Sequence, residues 1–282
     1  MYNCKFVSSS GNTFNFGYTY GTLFDVDPLS ELDVDITTSQ GFLQNGDIVE
    51  AETVSGVSRE IKGVFVDYSK VYLAKNMLDV FAPGAHGNLY FNSEYYCECI
   101  VQKTPAIELN GRKRTFSLML FCPQPYWYKV GGSTTEIGGY VGAFELPVCY
   151  DSHTYGEKNS EVYVNCYNSG GISTWYEVTF KTESGDLNNY GIENIYTGDI
   201  LKINDTLSYG EETKVYRDEG KLRVVKTVDG ESTDILALLD DESTLFTMSP
   251  GDNVIEHFAD EGTDDLVTTF TLNPAYVGVV AS

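Results

Sequence analysis

The sequence contains few basic residues. Its 282 residues include 18 Lys and Arg against 41 Asp and Glu, a formal net charge of −23 at pH 7. Proteins that bind DNA or RNA neutralise phosphates with Lys and Arg, so this balance argues against a nucleic acid as the main ligand. The one basic cluster is Arg112, Lys113 and Arg114, which follows the turn signal Asn110-Gly111 and is typical of a charged hairpin flank.

Long apolar runs, paired cysteine motifs and histidines are also scarce. No run of about 18 apolar residues occurs, so no membrane insertion is predicted. The N-terminus lacks the apolar stretch of a secretory signal, and we expect folding in the cytosol of the cell that makes the chain. The six cysteines include no Cys-x-x-Cys pair, which favours reduced, mostly buried thiols. The three histidines, His86, His153 and His257, lie far apart, and no catalytic or zinc-binding motif is found.

Carboxylates are so abundant that their spacing is a weak indication of a site. Asp25 and Asp27, and likewise Asp33 and Asp35, have the two-residue spacing that places side chains on one face of a strand. Such pairs occur in glycoside hydrolases and calcium sites, but solvated strand faces are the favoured interpretation. A weaker cation site is offered by three acids of an expected hairpin turn: Asp260, Asp264 and Asp265. No cofactor is predicted.

The apolar pattern predicts a mainly β protein. Residues 114–122 alternate, with Phe116, Leu118, Leu120 and Cys122 on one side of a strand. Further strands are predicted at 61–66, 88–91, 95–102, 161–166, 175–182, 221–228 and 266–272. Gly-containing turn signals separate them, as in antiparallel sheets.

Residues 70–81 break this pattern and predict one amphipathic helix of about three turns. Ser69 is placed to cap it, and Pro83-Gly84 ends it. The apolar residues with helical spacing are Ala74, Met77, Leu78 and Phe81. Because strands precede and follow the helix, the first domain is predicted to be α+β.

A Gly/Ser/Thr-rich stretch at 131–140 divides the chain. Residues 1–150 hold 16 acids and 10 bases, a net charge of −6, and residues 151–282 hold 25 acids and 8 bases, a net charge of −17. We therefore expect an N-terminal domain at 1–130, a linker at 131–140 and a C-terminal domain at 141–282, whose last strand is free to pair back with the first domain.

The segment 112–128 carries a family resemblance. Its alternating strand runs into Gln124-Pro125-Tyr126-Trp127-Tyr128 and then into glycines. It resembles the end of the N-terminal domain in the distal tail proteins (Dit) of siphophages, the long-tailed, non-contractile bacteriophages. There, an acid-Pro-aromatic-aromatic-Tyr motif follows a strand, and Gln124 stands here in place of the acid.

The second half resembles the same family in the order of its short motifs. The matching positions are Asn168, Gly170, Pro250, Gly251 and Asn253, and the chain closes with Tyr276-Val277-Gly278-Val279. Each motif alone is weak, since Pro-Gly-x-Asn is an ordinary turn. Their order over nearly the whole chain makes the resemblance fairly specific.

The resemblance implies a structural protein without catalysis, with a ring-forming N-terminal domain and a galectin-like C-terminal β-sandwich. It implies a homohexameric hub in the phage tail tip or baseplate, assembled in the bacterial host cytoplasm. The implied partners are the tail-tube protein, the tape-measure protein, a tail-associated lysin or spike and receptor-binding proteins, with DNA only as cargo in the channel. We expect the helix face of Ala74, Met77, Leu78 and Phe81, together with residues 125–128, to contribute to the ring interface.

Two other functions stay open at this point. A carbohydrate-binding β-sandwich for host-surface adhesion is suggested by Trp127, Trp175 and the 21 tyrosines, although core packing explains most aromatic residues. A glycoside hydrolase is suggested only by the abundance of acids.

Overall fold

A computed structural model of the chain describes residues 2–42, 45–67, 69–142, 156–158, 161–218 and 220–280. Cys149 and His153 lie outside the described residues. The chain forms two compact units: unit 1 comprises Met1–Val130 and Ala275–Ser282, and unit 2 comprises Gly131–Pro274. In the described part of the chain, strands dominate, no helix has the length and apolarity to cross a membrane, and the predicted mainly β fold is confirmed.

The elements follow one another as antiparallel strands with one α-helix among the described residues. In chain order they are β1 (Cys4–Ser8), β2 (Thr13–Phe16), β3 (Thr22–Asp27), β4 (Val34–Ser39), β5 (Ile48–Val54), β6 (Val57–Phe65), α1 (Val71–Val80), β7 (His86–Phe91), β8 (Tyr95–Asn110), β9 (Lys113–Cys122), β10 (Trp127–Lys129), β11 (Ser133–Ile137), β12 (Tyr140–Gly142), β13 (Gly156–Lys158), β14 (Tyr163–Asn168), β15 (Tyr176–Thr182), β16 (Asp186–Asn194), β17 (Asp199–Ser208), β18 (Glu212–Asp218), β19 (Lys221–Val228), β20 (Glu231–Asp234), β21 (Gly251–Glu261), β22 (Leu266–Leu272) and β23 (Ala275–Tyr276).

Unit 1 is built on one large antiparallel sheet with the strand order β2-β1-β7-β8-β9-β6-β3. In β9 the predicted alternation is confirmed, because Phe116, Leu118, Leu120 and Cys122 are all buried. They share a core with aromatic side chains from several strands and with the helix. Phe6 and Phe81 stack there with ring centroids 4.6 Å apart. The core thus lies on one face of the sheet, where α1 contributes its apolar side.

The helix differs from the prediction in its cap and in its surface. Ser69 does not cap it, because Lys70 occupies the N-cap position and the Ser69 hydroxyl donates to Asp67 at 2.6 Å. Of the four residues expected at an oligomer interface, Ala74, Met77 and Phe81 are buried in the core of unit 1. They pack inside the chain and are not available to another subunit. Only Leu78, which is 49% exposed, remains on the surface.

The stretch predicted as a linker forms part of unit 2 instead. Ser133–Ile137 is strand β11, which pairs with β22, and Ile137 is buried in the core of unit 2. The run Ser-Thr-Thr has good strand propensity, and the flanking glycines, which suggested flexibility, mark its ends. The last strand, β23, pairs with β10 in unit 1. Gly278 is required beside it, since a Cβ there would overlap Ser30.

Unit 2 is a sandwich of two antiparallel sheets around one core. One sheet has the order β11-β22-β15-β18-β19-β20, and the other has the order β14-β21-β16-β17. Alternate residues of each face inward: Val178 and Phe180 come from the first sheet, and Tyr190 and Ile192 from the second. The Tyr190 hydroxyl lies 2.6 Å from the Thr213 hydroxyl, which satisfies the polar end of a buried ring.

Two further pairs of strands stand outside these sheets. β12 pairs with β13 in unit 2. In unit 1, β4 and β5 form a separate two-stranded ribbon between β3 and β6, and we call these two strands the arm. Asp33 and Asp35 had been interpreted as one face of a strand, but neither β4 nor β5 was predicted with its bounds.

Candidate functional site

Trp127 is the centre of the aromatic motif and is fully buried. It begins β10, whose residues pair with both β23 and β8. Its indole Nε1 donates a hydrogen bond to the carbonyl oxygen of Leu29 at 3.0 Å, and its ring meets the edge of Phe91. Through the hydrogen bond to Leu29, the motif holds the segment that follows β9 against the loop that follows β3.

Arg59 on β6 completes this cluster, although sequence reasoning did not single it out. Its side chain is fully buried, and its guanidinium carbon lies 4.7 Å from the centre of the Trp127 ring. The guanidinium donates to the carbonyl oxygens of Pro28 and Pro125, the latter at 2.7 Å. A buried cation needs such partners, and carbonyl oxygens together with an aromatic face supply them. The signal in the sequence was the alternation of β6, since Arg59 shares the inward-facing side of the strand with Ile61.

Three cysteines lie next to this arginine. Cys97, Cys99 and Cys122 are buried, and the sulfur atoms of Cys97 and Cys122 are 3.8 Å apart. Burial raises the pKa of Cys97, whereas thiol hydrogen bonds from Cys97 and Cys99, with the nearby Arg59 guanidinium, lower the pKa of Cys122. All five described cysteines are free and buried, which confirms that part of the prediction.

In unit 2, the buried side chain of Asn168 forms hydrogen bonds with nearby backbone groups, including the N–H of Gly170. The Asn168 side-chain nitrogen donates to the carbonyl oxygens of Ile172 and Met248, each at 3.0 Å. Its side-chain oxygen accepts from the backbone N–H of Gly170 at 2.9 Å. The asparagine thereby replaces the strand hydrogen bonds that are lost where β14 ends, so its role is structural.

The side chain of Asn253 likewise forms hydrogen bonds with backbone groups of the turn around Pro250 and Gly251, where β21 begins. Its side-chain nitrogen lies 2.8 Å from the carbonyl oxygen of Ser249 and 3.2 Å from that of Cys166, and its oxygen accepts from the Ser249 N–H. Gly251 has φ +91°, which disfavours any side chain at that position. Pro250, Gly251 and Asn253 therefore shape the turn and hold it on β14.

The predicted chemical candidates are not gathered at one place. Asp25 and Asp27 lie exposed on β3, and Asp25 accepts a hydrogen bond from Tyr2 at 3.0 Å. His86 is exposed at the start of β7. His257 is buried in unit 2, where its Nδ1 lies 3.0 Å from the Thr268 hydroxyl and burial lowers its pKa to about 4.

At the acidic hairpin turn, the carboxylate of Asp260 is bound by other side chains of unit 2. Both carboxylate oxygens of Asp260 lie 3.0 Å from Lys202 Nζ, and one of them also accepts from Asn189 at 2.9 Å. These contacts lower the pKa of Asp260. Asp264 and Asp265 belong to a short 3₁₀ turn that follows. Within the described ranges, no group of three or more His, Cys, Asp or Glu side chains is arranged to hold a metal ion.

The fold of the whole chain carries more functional information than any cluster of side chains. No protein-family model and no curated protein sequence matches the chain. The crystal structure of the SPP1 Dit protein, described as a paradigm of the hub adsorption apparatus in phages that infect Gram-positive bacteria, matches it with a TM-score of 0.65. The match covers 96% of this chain and 98% of that chain at 13% sequence identity. The chain has a Dit-like phage tail hub fold.

Chains of two baseplate structures are also similar in fold to this chain. A chain of the phage P2 baseplate in its activated conformation with calcium matches with a TM-score of 0.55 and 11% identity, covering 99% of this chain and 100% of that chain. The corresponding strontium structure matches with a TM-score of 0.52 and 11% identity, covering 96% and 98%. The resemblance inferred from the short motifs is thus confirmed at the level of the fold, and the motif residues prove to be packing and turn residues of that fold.

Proposed function

We propose that the chain is a structural distal tail protein, a homohexameric hub that joins the tail tube of a siphophage to its baseplate and adsorption apparatus. The observation that carries this proposal is the match with the SPP1 Dit protein, which covers 96% of one chain and 98% of the other. A match over both units favours the same kind of building block over a shared single domain. On this proposal the protein resides in the virion, at the tip of the tail.

The roles of the motif residues support a structural protein over an enzyme. Trp127, Asn168 and Asn253 use their polar atoms to bind backbone carbonyl groups of their own unit. The acid pairs are exposed: Asp25 and Asp27 lie on β3, and Asp33 and Asp35 lie at the start of β4. We therefore assign no catalytic residue.

The charge balance supports passage of DNA as cargo. DNA adheres to basic surfaces because binding releases its counterions, and a ring with a basic channel would retain the genome. Unit 1 has 14 acids and 10 bases, a net charge of −4, and unit 2 has 27 acids and 8 bases, a net charge of −19. The proposed partners are the tail-tube protein, the tape-measure protein, a tail-associated lysin or spike and receptor-binding proteins.

Mass in solution tests this proposal. Multi-angle light scattering of the purified chain should give six times the mass of the 31.3 kDa chain, or a monomer-hexamer equilibrium that shifts with concentration. Pull-down with the tail-tube and tape-measure proteins encoded beside it supplies a second measurement. A chain that stays monomeric at every concentration and binds neither protein contradicts the hub function.

Carbohydrate binding is a second candidate, favoured by one surface of unit 2. Tyr163 and Tyr167 are both more than half exposed on the same side of β14, and between them Asn165 donates to Asp252 at 2.7 Å. Two aromatic faces that flank an amide-carboxylate pair are a usable sugar platform. A glycan array should then give binding that is lost in Tyr167→Ala and kept in Tyr209→Ala, an exposed tyrosine elsewhere in the unit. The absence of any signal on a broad array contradicts this candidate.

A further inference from the structure

The four-stranded sheet of unit 2 presents two separate tyrosine rings on its outer face. In β14, Tyr163, Asn165 and Tyr167 are exposed, whereas the intervening Cys166 and the final Asn168 are buried. Side chains two apart on a strand share a face, so the three exposed residues form one row on the side away from the core. The four-residue separation of the tyrosines corresponds to about 13 Å along the strand at roughly 3.3 Å per residue. Polar groups therefore have room between the two rings.

Strand register places an acid directly opposite each tyrosine. In the pairing of β14 with β21, Tyr163 lies opposite Glu256 and Tyr167 lies opposite Asp252. Residues directly opposite each other in an antiparallel pair point to the same side of the sheet, with Cβ atoms about 5 Å apart. Each ring thus has a carboxylate beside it on the same exposed face.

A third acid, Glu193 on β16, brings two carboxylates side by side. It pairs with Glu256, and both residues are half-buried. Among the described residues, neither of the two forms an ion pair. Like charges directly opposite each other on neighbouring strands are destabilising, and a bound cation relieves this repulsion. We call the surface formed by these residues the tyrosine face: Tyr163, Asn165, Tyr167, Glu193, Asp252 and Glu256.

The sheet itself supplies no cation to these acids. Lys202 on β17 is the one base that the register of the four described strands places on the outer face. Its Nζ lies 3.0 Å from both carboxylate oxygens of Asp260, so it is already paired. The tyrosine face therefore combines three acids with no base, and charge complementarity calls for a positively charged ligand.

The arrangement of rings and polar groups favours a sugar over a hydrophobic segment of a protein. Asn165, whose amide donates to Asp252 at 2.7 Å, stands between the two tyrosines and prevents their rings from merging into one apolar strip. An exposed aromatic ring can stack on the C–H face of a sugar ring, and amides and carboxylates can bind its polar groups. A protonated amine is attracted both by a carboxylate and by the face of a tyrosine ring.

We propose, building on the carbohydrate-binding candidate described above, that the tyrosine face binds amino-sugar glycans, whose sugar units carry free, protonated amino groups. Tyr163 and Tyr167 stack on sugar rings, and Glu193 and Glu256 hold an ammonium group between them. Asp252 binds a second ammonium group beside Tyr167. Neutral sugars leave these acids without a partner, and anionic sugars are repelled by them. This binding does not require the hexamer.

Two oligosaccharides that differ only in acetylation test this selectivity. Chitosan oligosaccharides carry free amines, and chitin oligosaccharides of the same length carry neutral acetamido groups. Calorimetric titration of the full chain at about pH 6, where the sugar amines are protonated and the carboxylates ionised, should give about tenfold or more tighter binding of chitosan. The preference should shrink when the salt concentration is raised, because salt screens charge pairs at a surface.

Matched variants assign the binding to this surface. Glu193→Gln with Glu256→Gln removes two charges with little change in size and should abolish most of the preference for chitosan. Tyr167→Ala should weaken the binding of both oligosaccharides. Asp241→Asn with Glu242→Gln makes the same charge change at exposed positions elsewhere in unit 2 and should bind like wild type. Circular dichroism verifies that each variant is folded.

The possible outcomes separate the class of glycan from the functions proposed above. Equal affinity for chitin and chitosan refutes the selection of amino sugars, although carbohydrate binding stands. If neither oligosaccharide binds, the inference is refuted, and the glycan array decides separately whether unit 2 binds any carbohydrate. If oligo-lysine binds as tightly as chitosan and Tyr167→Ala leaves its binding unchanged, the tyrosine face recognises cationic protein segments and the inference is refuted as well. The hexameric hub is tested independently, by mass in solution.

Discussion

The two units of this chain handle charge in different ways. In unit 2 many bases are engaged inside the unit: Lys181 pairs with Glu212 on the opposite strand at 2.7 Å, and Lys226 pairs with both Asp205 and Glu211 at 2.9 Å. In unit 1 the acids of the arm and the cations Arg112, Lys113 and Arg114 lie apart and have no ion pair in the described chain. In unit 2 it is the bases that find partners, since 8 bases cannot pair with most of its 27 acids, whereas in unit 1 charges of both signs stand without an ion pair in the described chain.

The buried interiors differ as well. Unit 1 holds a fully buried cation, Arg59, against Trp127, and its core is rich in aromatic rings. Unit 2 holds buried neutral polar groups, chiefly Asn168, Asn253 and His257. Replacing one of these groups should therefore affect one unit and leave the other intact, which makes the comparison testable.

The largest expected effect is that of Trp127→Ala in unit 1. It should lower the free energy of unfolding of that unit by about 4 kcal/mol, because it opens a large cavity and removes the aromatic face beside the buried Arg59 cation. Urea unfolding followed by far-UV circular dichroism measures this loss, and Trp175 fluorescence follows unit 2 separately. The half-buried neighbour Tyr126 is a matched control, and Tyr126→Ala should cost clearly less. An equal loss of stability in unit 2 would contradict the separation of the two interiors.

The next largest expected effect is on the pH dependence of the stability of unit 2. Burial lowers the pKa of His257 to about 4, below the usual value of the unfolded chain, so folding favours the neutral imidazole. The free energy of unfolding of unit 2 is therefore not lowered by His257 above pH 6.5. As the pH falls from 6.5 toward 4, protonation of this histidine in the unfolded chain lowers that free energy by up to roughly 3 kcal/mol. Unfolding of unit 2 at pH 7 and pH 4.5 should therefore differ less in His257→Gln than in wild type. His86→Gln, at an exposed position, should keep the wild-type difference.

A smaller effect is expected for Asn253→Ala, which removes the side chain that holds the turn before β21. The carbonyl oxygens of Ser249 and Cys166 lose a buried donor, and unit 2 should lose about 2 kcal/mol. Hydrogen exchange resolved by mass spectrometry should show faster exchange in unit 2 and no change in unit 1. Asn204→Ala removes a solvent-exposed amide that donates to Asp240 and should change stability by less than about 0.5 kcal/mol. Equal effects of the two variants would show that the buried hydrogen bonds of Asn253 contribute no more to stability than the exposed one of Asn204.

The smallest change in stability is expected in the arm. Ile36→Ser removes an exposed aliphatic side chain and should alter the unfolding of either unit by less than about 0.5 kcal/mol. Urea unfolding of the two units, followed as for Trp127→Ala, measures this change. Thr37→Ser, at an exposed neighbour on the other face of the arm, serves as the control. A clearly larger loss in Ile36→Ser than in Thr37→Ser would show that this side chain is covered within its own chain.

Local sequence patterns predicted the elements that have one buried and one exposed face. The strand at 221–228 coincides with β19, that at 266–272 coincides with β22, and the predicted helix differs from α1 by one residue at each end. In these elements the periodicity of apolar residues follows burial directly. Apart from the strand face inferred for Asp33 and Asp35, the arm was not predicted, because neither of its faces is buried within the chain.

The candidate site was predicted only in part, because its contacts join distant segments. The aromatic motif at 125–128 was singled out, but Arg59, which binds the Pro125 carbonyl, lies 66 residues away in the chain. The helix face was interpreted as a partner surface, and the structure buries most of it in the core of unit 1. An apolar stripe shows that a surface becomes covered without showing whether the same chain or another one covers it.

The sequence by itself determined the strand-rich character, the acidic balance and the order of short motifs, since composition and periodicity are local properties. Only the tertiary structure decided that Ser133–Ile137 within the expected linker is a strand, and that the acids of β4 and β5 and the cations at 112–114 stand at opposite ends of one sheet. These features depend on strand pairing between residues far apart in sequence, and pairing register is set by the packing of the whole unit.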